Sequence, residues 1–322
     1  NVEHNSILVR YSNDFSIWDL ESVNHYKDQS DIFFICHEFS YNKIAEAYEP
    51  YLGLIRQMFH KYCSGTLEEF MEECDVYKLQ RPVFESYFEK GFCERTEQIL
   101  IDEVEYEQER MRNSIVTMLQ KLSEICPVVI VLNRFQLASK STMQLTNSLL
   151  QVKNQNIGIV LGVNDVQAIP EFAHEEWDAI CESMDDRNMV YHIGNAGRNM
   201  EPDVMDYYSD YESDDGYRKL NNLVYFLDFD QANHHLSKIE RRIKFDNFTI
   251  SEKKHYQLLL LQIMVSVLQR DIAKALESCE DLEKLQDQEK EGAFYYNFWM
   301  ATSYMYLGKL EEAMIYVQKA KE

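Results

Sequence analysis

Glycine is scarce in this chain, with ten among 322 residues. Loops that wrap phosphates need glycine, because successive backbone N–H groups must converge with no side chain in the way. So low a number speaks against an enzyme with phosphate-handling loops. The fingerprints of such chemistry are missing too: no GxxxxGK[ST] loop, no GxGxxG turn, no GxSxG elbow and no HExxH helix. Basic residues are also in deficit, 32 against 55 acids, for a net charge of −23. Phosphate backbones are gripped by a basic stripe, so a nucleic-acid surface is not expected; neutral or basic partners are. Long apolar runs are lacking as well. "VVIVL" and "LLLLQIMVSVL" are too short or too interrupted to span a bilayer, and no basic, apolar leader opens the chain. The cysteines Cys36, Cys63, Cys74, Cys93, Cys126, Cys181 and Cys279 form neither a CxxC nor a His/Cys cluster. Neither a zinc site nor a disulfide framework is expected, and a reducing cytoplasm is the simplest compartment.

What is present is an alternation of apolar runs and helical stretches. "SILVR" (6–10), "DIFFIC" (31–36), "VVIVL" (128–132), "IGIVLGV" (157–163) and "MVYHI" (189–193) are short, β-branched and without polar alternation. Such runs suit strands covered on both faces, and their alternation with helices predicts a parallel α/β sheet with right-handed crossovers. Between the second and third runs lie about ninety residues of helical periodicity. Thr66 followed by Glu69 is a capping pattern, 95–125 suits one long helix or two, and Pro127 closes it.

Residues 201–216, "EPDVMDYYSDYESDDG", carry seven acids and no base. A calcium loop is ruled out by spacing, since Gly216 is not at the sixth position and Asn221, not Glu, stands at the twelfth. The segment is expected to be a solvated acidic linker, or an acidic helical turn, dividing a first domain (1–200) from a second (217–322). The second domain reads as helix throughout and contains an internal repeat. Ala232, Ala275 and Ala313 recur at spacings of 43 and 38 residues, each followed seven positions on by Ile239, Leu282 and Ala320. A small residue there lets two helices approach closely. The last unit, with Met300, Ala301, Tyr304, Gly308, Ala313 and Ala320, resembles a tetratricopeptide repeat. The spacings exceed that family's usual length of about 34 residues. The chain stops in a helical pattern at "YVQKAKE", as an array cut short would.

"VVIVLNRFQLASKSTMQLTNSLL" (128–150) resembles the Walker B segment of STAND-type ATPases, a signalling branch of AAA+-related P-loop proteins. Phe135-Gln136-Leu137-Ala138 keeps the shape of that family's "LQWA", and Thr142, Leu145, Leu149 and Leu150 keep its helix. "YEPYLGLIRQMF" (48–59) resembles the family's "PYxPxxxLLRxLF" helix, and "IGIVLGVND" (157–165) sits where its sensor strand lies, with Asn164 near the sensor position. The resemblance implies a P-loop NTPase-like fold over roughly 6–195, with ATP and Mg²⁺ as its ligands.

The departures from the pattern matter more. The Walker B acids fall on Asn133 and Arg134, and the acid after "LQWA" falls on Ser139. Asn carries no charge to hold a metal and cannot act as a base, and Arg134 places a cation where the surroundings should be acidic. The region expected to hold the P-loop, 10–30, has no glycine; Ser12, Asn13, Asp14 and Phe15 stand where phosphates would approach, and Lys27 lies too far along. At about 1.5–3 kcal/mol per charged hydrogen bond lost, roughly millimolar affinity would remain at best. The helical lid usual in the family is missing or reduced. The domain therefore reads as a degenerate NTPase, a pseudo-ATPase without cofactor, in a non-catalytic signalling module. Relatives with this layout are large bacterial transcription activators and nucleotide cyclases. The alternative is an ATP-binding STAND-type ATPase whose P-loop has diverged or lies upstream.

Three further features have two readings each. His234 and His235 are adjacent and point about 100° apart on a helix, so solvated positions are expected rather than a metal site. His37-Glu38 ends the second strand, where open sheets place ligand-binding groups. Tyr295, Tyr296, Phe298 and Trp299, in "AFYYNFWM", belong either to the core between repeats or to a concave peptide-binding surface. The partner expected is a protein or peptide, with self-association allowed, and neither nucleic acid nor membrane.

Overall fold

The structure is a computed structural model that describes residues 6–11, 29, 31–40, 43–93, 104–152, 156–164, 169, 171–185, 189–193, 213–245, 249–285 and 290–321. Among these residues the α/β part has five strands: β1 (Ser6–Tyr11), β2 (Phe33–Glu38), β3 (Val128–Asn133), β4 (Ile157–Asn164) and β5 (Val190–Ile193). All five apolar runs are strands, and every pairing is parallel, in the order β2-β3-β4-β1-β5. The first strand thus lies inside the sheet, with β4 between it and β3.

Among the described residues six helices belong to this part: α1 (Tyr51–Tyr62), α2 (Leu67–Glu73), α3 (Arg81–Lys90), α4 (Val104–Ile125), α5 (Lys140–Gln151) and α6 (His174–Asp185). The steps from β2 to β3 to β4 run in one direction across the sheet, so right-handed crossovers put their helices on one face. There Ile55 and Met58 of α1, Ile115 and Leu119 of α4 and Leu145 of α5 join Ile130, Leu132, Ile159 and Leu161 of the strands in the main core. On the other face Val131 gathers the half-buried Phe34, Cys36, Val129 and Val160. Thr66 and Glu69 form the expected capping box at α2, each side chain bonding the other's backbone N–H at 3.2 and 2.9 Å.

From Ser213 onward every described element is a helix: α7 (Asp214–Tyr225), α8 (Phe229–Phe245), α9 (Glu252–Leu268), α10 (Ile272–Lys284), α11 (Lys290–Tyr306) and α12 (Leu310–Lys321). The end of the acidic segment, from Asp214, is the first turn of a helix. Ser213 caps α7 by accepting the Gly216 N–H at 2.9 Å, and Asp214 and Asp215 sit in its first turn, where the helix dipole favours negative charge.

The six helices form three antiparallel pairs built on one turn. Leu227, Arg270 and Gly308 all adopt positive φ (66°, 65° and 72°). Their N–H groups bond the carbonyls of Val224, Val267 and Met305 at 3.1, 3.1 and 3.0 Å. The next residues, Asp228, Asp271 and Lys309, bond the carbonyls of Leu223, Ser266 and Tyr304 at 2.8, 2.8 and 2.9 Å. This left-handed cap satisfies the orphan carbonyls of each first helix. Four residues further on come Ala232, Ala275 and Ala313, all buried. The middle pair is the keystone: α9 packs against α7, α8, α10 and α11, and its residues Leu258 to Leu268 are all buried.

The first pair is fused to the α/β layer. The Phe226 ring meets Tyr48, Phe84 and Tyr87 edge-on at 6.2, 5.7 and 5.6 Å. The buried Asp228 carboxylate accepts the N–H groups of Ser141 (2.9 Å) and Gln231 (3.3 Å), and the Asn222 carboxamide accepts the Cys93 N–H at 2.8 Å. Among the described residues no helix is long and apolar enough to cross a membrane.

At Gly308 an added Cβ meets nothing within 4 Å, so an alanine there carries backbone strain alone. Gly308→Ala is expected to cost about 1 kcal/mol, read as a lower urea midpoint at unchanged slope.

Candidate functional site at the C-terminal edge of the sheet

Ligands of open α/β sheets bind beyond the carboxyl ends of the strands. Here those ends are Tyr11, Glu38, Asn133, Asn164 and Ile193. Tyr11 stands in register with Asn164, and Glu38 with Asn133. The Tyr11 hydroxyl donates to Asn133 Oδ1 at 2.6 Å, reaching past β4 to tie β1 to β3. Both residues are buried, and burial holds the phenol above its ordinary range, opposed by nearby Arg134. The Asn164 N–H lies 3.4 Å from the Gln136 carboxamide oxygen, which fastens the 3-10 turn Phe135–Leu137 to β4.

Arg134 is in the left-handed region (φ 52°) and pairs with Glu38 at 3.4 Å, both side chains about two-fifths exposed. Such a pair contributes little to stability. Ser139 is fully buried and caps α5, accepting the Thr142 N–H at 3.2 Å and lying 2.9 Å from the Glu46 carbonyl. Ser141 accepts the Tyr48 N–H (3.2 Å), and the Thr142 hydroxyl donates to the Glu49 carbonyl (3.1 Å). The start of α5 thus clamps the 43–50 loop. Ser12, Asn13, Asp14 and Phe15 lie outside the described residues.

That clamp creates a feature the sequence did not announce. Glu46 and Glu49 come together at the end of β2, the Glu46 N–H donating to Glu49 Oε2 at 3.2 Å. Glu49 also lies 3.5 Å from His37 Nε2, and Asn222 of α7 donates to Glu46 at 2.8 Å. Burial, then the neighbouring Glu49, pushes Glu46 up to about 7, against the pull of Asn222 and Lys219; Asp215 adds to the rise. Glu49 is raised by burial as well. Burial, then Lys43, pushes His37 down to about 4, so the imidazole is neutral at physiological pH. A carboxyl that gains and loses a proton near neutrality therefore sits between the 43–50 loop and the first helix of the array. Only Glu38 and His37, adjacent on β2, pointed here from sequence; the remainder depends on contacts across 176 positions. Among the described residues no three His, Cys, Asp or Glu side chains are grouped as metal ligands.

The other singled-out residues lie in the helical array. His234 and His235 are half-buried rather than solvated: His234 packs on Phe172 at 5.2 Å, and His235 lies 3.0 Å from Gln231. Burial, then Lys238, lowers His234 to about 4, and burial, then His234 and Lys238, lowers His235 to about 3. Trp299 is buried in the core, with Tyr295, Tyr296 and Phe298 half-buried against it. Tyr296 meets Tyr316 edge-on at 6.3 Å.

Compared with family models, curated proteins and solved structures, the chain matches none.

A carboxyl raised in the folded state holds a proton that the unfolded chain gives up more readily. Its stabilising contribution is present below the ordinary value near 4.5 and is lost as pH rises through about 7. Glu46→Gln keeps the acceptor for Asn222 without the charge. It is expected to raise stability by about 1–2 kcal/mol at pH 8 and by little at pH 5, measured by urea unfolding at both. Equal effects at the two pH values would place the charge elsewhere.

Proposed function

We propose that the protein is a non-catalytic signalling module: a degenerate STAND-like NTPase core carrying tetratricopeptide-like helix pairs that bind a protein or peptide. The observation that carries this reading is the Tyr11–Asn133 hydrogen bond. On the resemblance, Asn133 stands where an acid would hold Mg²⁺ through its water shell. Its carboxamide oxygen is instead engaged by a phenol that bars the approach. Of the three matched segments, the Walker B-like and sensor-like ones are β3 and β4, adjacent in the sheet and ending at one edge, and 48–59 runs into α1. That convergence supports the resemblance, and the loss of charge at the same edge supports a scaffold over an ATPase. The repeated left-handed turn and buried alanines support stacked helix pairs, which offer extended surfaces to peptides. A cytoplasmic place in a larger bacterial regulator, of the transcription-activator or nucleotide-cyclase type, completes the proposal.

Calorimetric titration with Mg-ATP tests it. The expected result is no heat of binding at concentrations up to about 1 mM. A micromolar dissociation constant would instead establish the ATP-binding alternative.

A further inference from the structure

Between the α/β layer and the first helix pair lies a cavity of about 40 Å³, bounded by the 43–50 loop, α4, the start of α5 and the turn from α7 to α8. Ligand sites favour such joints between structural layers. Among the described residues five that are not glycine adopt positive φ, and two of them, Tyr48 (55°) and Leu227 (66°), stand in the cavity wall. Backbone held in that region costs free energy and gathers at ligand clamps. The mouth is formed by Lys140 and Asp230, whose side chains are 25% and 43% exposed.

Two groups in the wall are short of partners. Tyr48 is 1% exposed; its N–H donates to Ser141 at 3.2 Å, whereas its hydroxyl has no hydrogen-bond partner among the described residues. Burial, then Asp228, holds that phenol well above its ordinary range against Arg112, so it stays a neutral hydroxyl. The second group is the buried Asp228 carboxylate, which accepts the Ser141 and Gln231 N–H groups. A buried carboxylate ordinarily faces a cation. Yet the ammonium in the wall, Lys140, is turned to Asp230 at 2.7 Å and to Glu176 at 3.7 Å. Burial raises the Asp228 carboxyl above its usual range, against the pull of Ser141 and Gln231.

These properties select the occupant. Two carboxylates and one ammonium line the cavity, so its wall carries an excess of negative charge. The acceptors on offer, the Asp228 carboxylate and the Tyr48 oxygen, suit an N–H donor. The Tyr48 and Phe229 rings suit a cation with a short alkyl stem. A water takes roughly 10–15 Å³ of such space, so the volume admits about three heavy atoms.

We propose that this cavity binds a small primary alkylammonium ion, whose N–H groups donate to the Asp228 carboxylate and the Tyr48 oxygen while the Lys140–Asp230 pair stands at the mouth. This inference does not depend on the state of the nucleotide edge.

Saturation-transfer NMR of the 322-residue chain with ethylammonium chloride tests it. The expected result is transfer to the ethyl protons that saturates with a dissociation constant of about 1 mM, the range open to a ligand of about three heavy atoms. Tyr48→Phe should weaken binding about tenfold with circular dichroism unchanged, and Asp228→Asn should weaken it further. A wild-type chain that gives no saturable transfer would overturn the proposal. So would an affinity unchanged in Tyr48→Phe, or loss of the signal in equimolar KCl, which would assign the cavity to an alkali cation.

Discussion

The hydrogen bond from Tyr11 to Asn133 organises the edge on which any chemistry of this sheet would have to occur. It links the inner strand β1 to β3 across β4, at the carboxyl ends where an open α/β fold presents its ligand crevice. Once the carboxamide is spent on the phenol, the neighbouring positions follow suit. Arg134 turns away through a left-handed residue to Glu38, and Ser139 becomes a helix cap. The strand, turn and helix keep their shape because the parallel sheet has to be covered.

The start of α5 has a mechanical task. Ser139, Ser141 and Thr142 hold the 43–50 loop, and the Ser141 N–H also donates to the buried Asp228 carboxylate after the first array helix. Loop, helix and array thus converge on a joint that also contains Glu46, Glu49 and His37. Buried polar groups of this kind specify geometry at the expense of stability, and here that expense includes a carboxyl held near neutrality.

The five strands and the periodicity of the array were legible in sequence, because β-branched runs and recurrent alanines are local signals. The limits of legibility are equally physical. The repeated turn was hidden because Leu227 and Arg270 fill a left-handed position that glycine marks only at Gly308. In those two pairs other contacts offset the strain, the Arg270 guanidinium lying 4.0 Å from the Tyr306 ring and the Leu227 carbonyl accepting from Gln108 at 2.6 Å. The Tyr11–Asn133 bond spans 122 positions and the Glu46–Asn222 bond 176, distances at which no pattern in the chain pairs residues. His234 and His235 seemed solvated because helical phase alone does not reveal that Phe172 packs on His234 or that His235 is half-buried.

What matters most is whether the sheet edge is held as structure. A double-mutant cycle of Tyr11→Phe and Asn133→Ala, read as unfolding free energy in urea, measures this without reference to any ligand. A buried hydrogen bond that organises the edge predicts a coupling of about 1–2 kcal/mol between the two substitutions. Strict additivity would contradict it, and would leave the edge without the lock that the structure assigns to it.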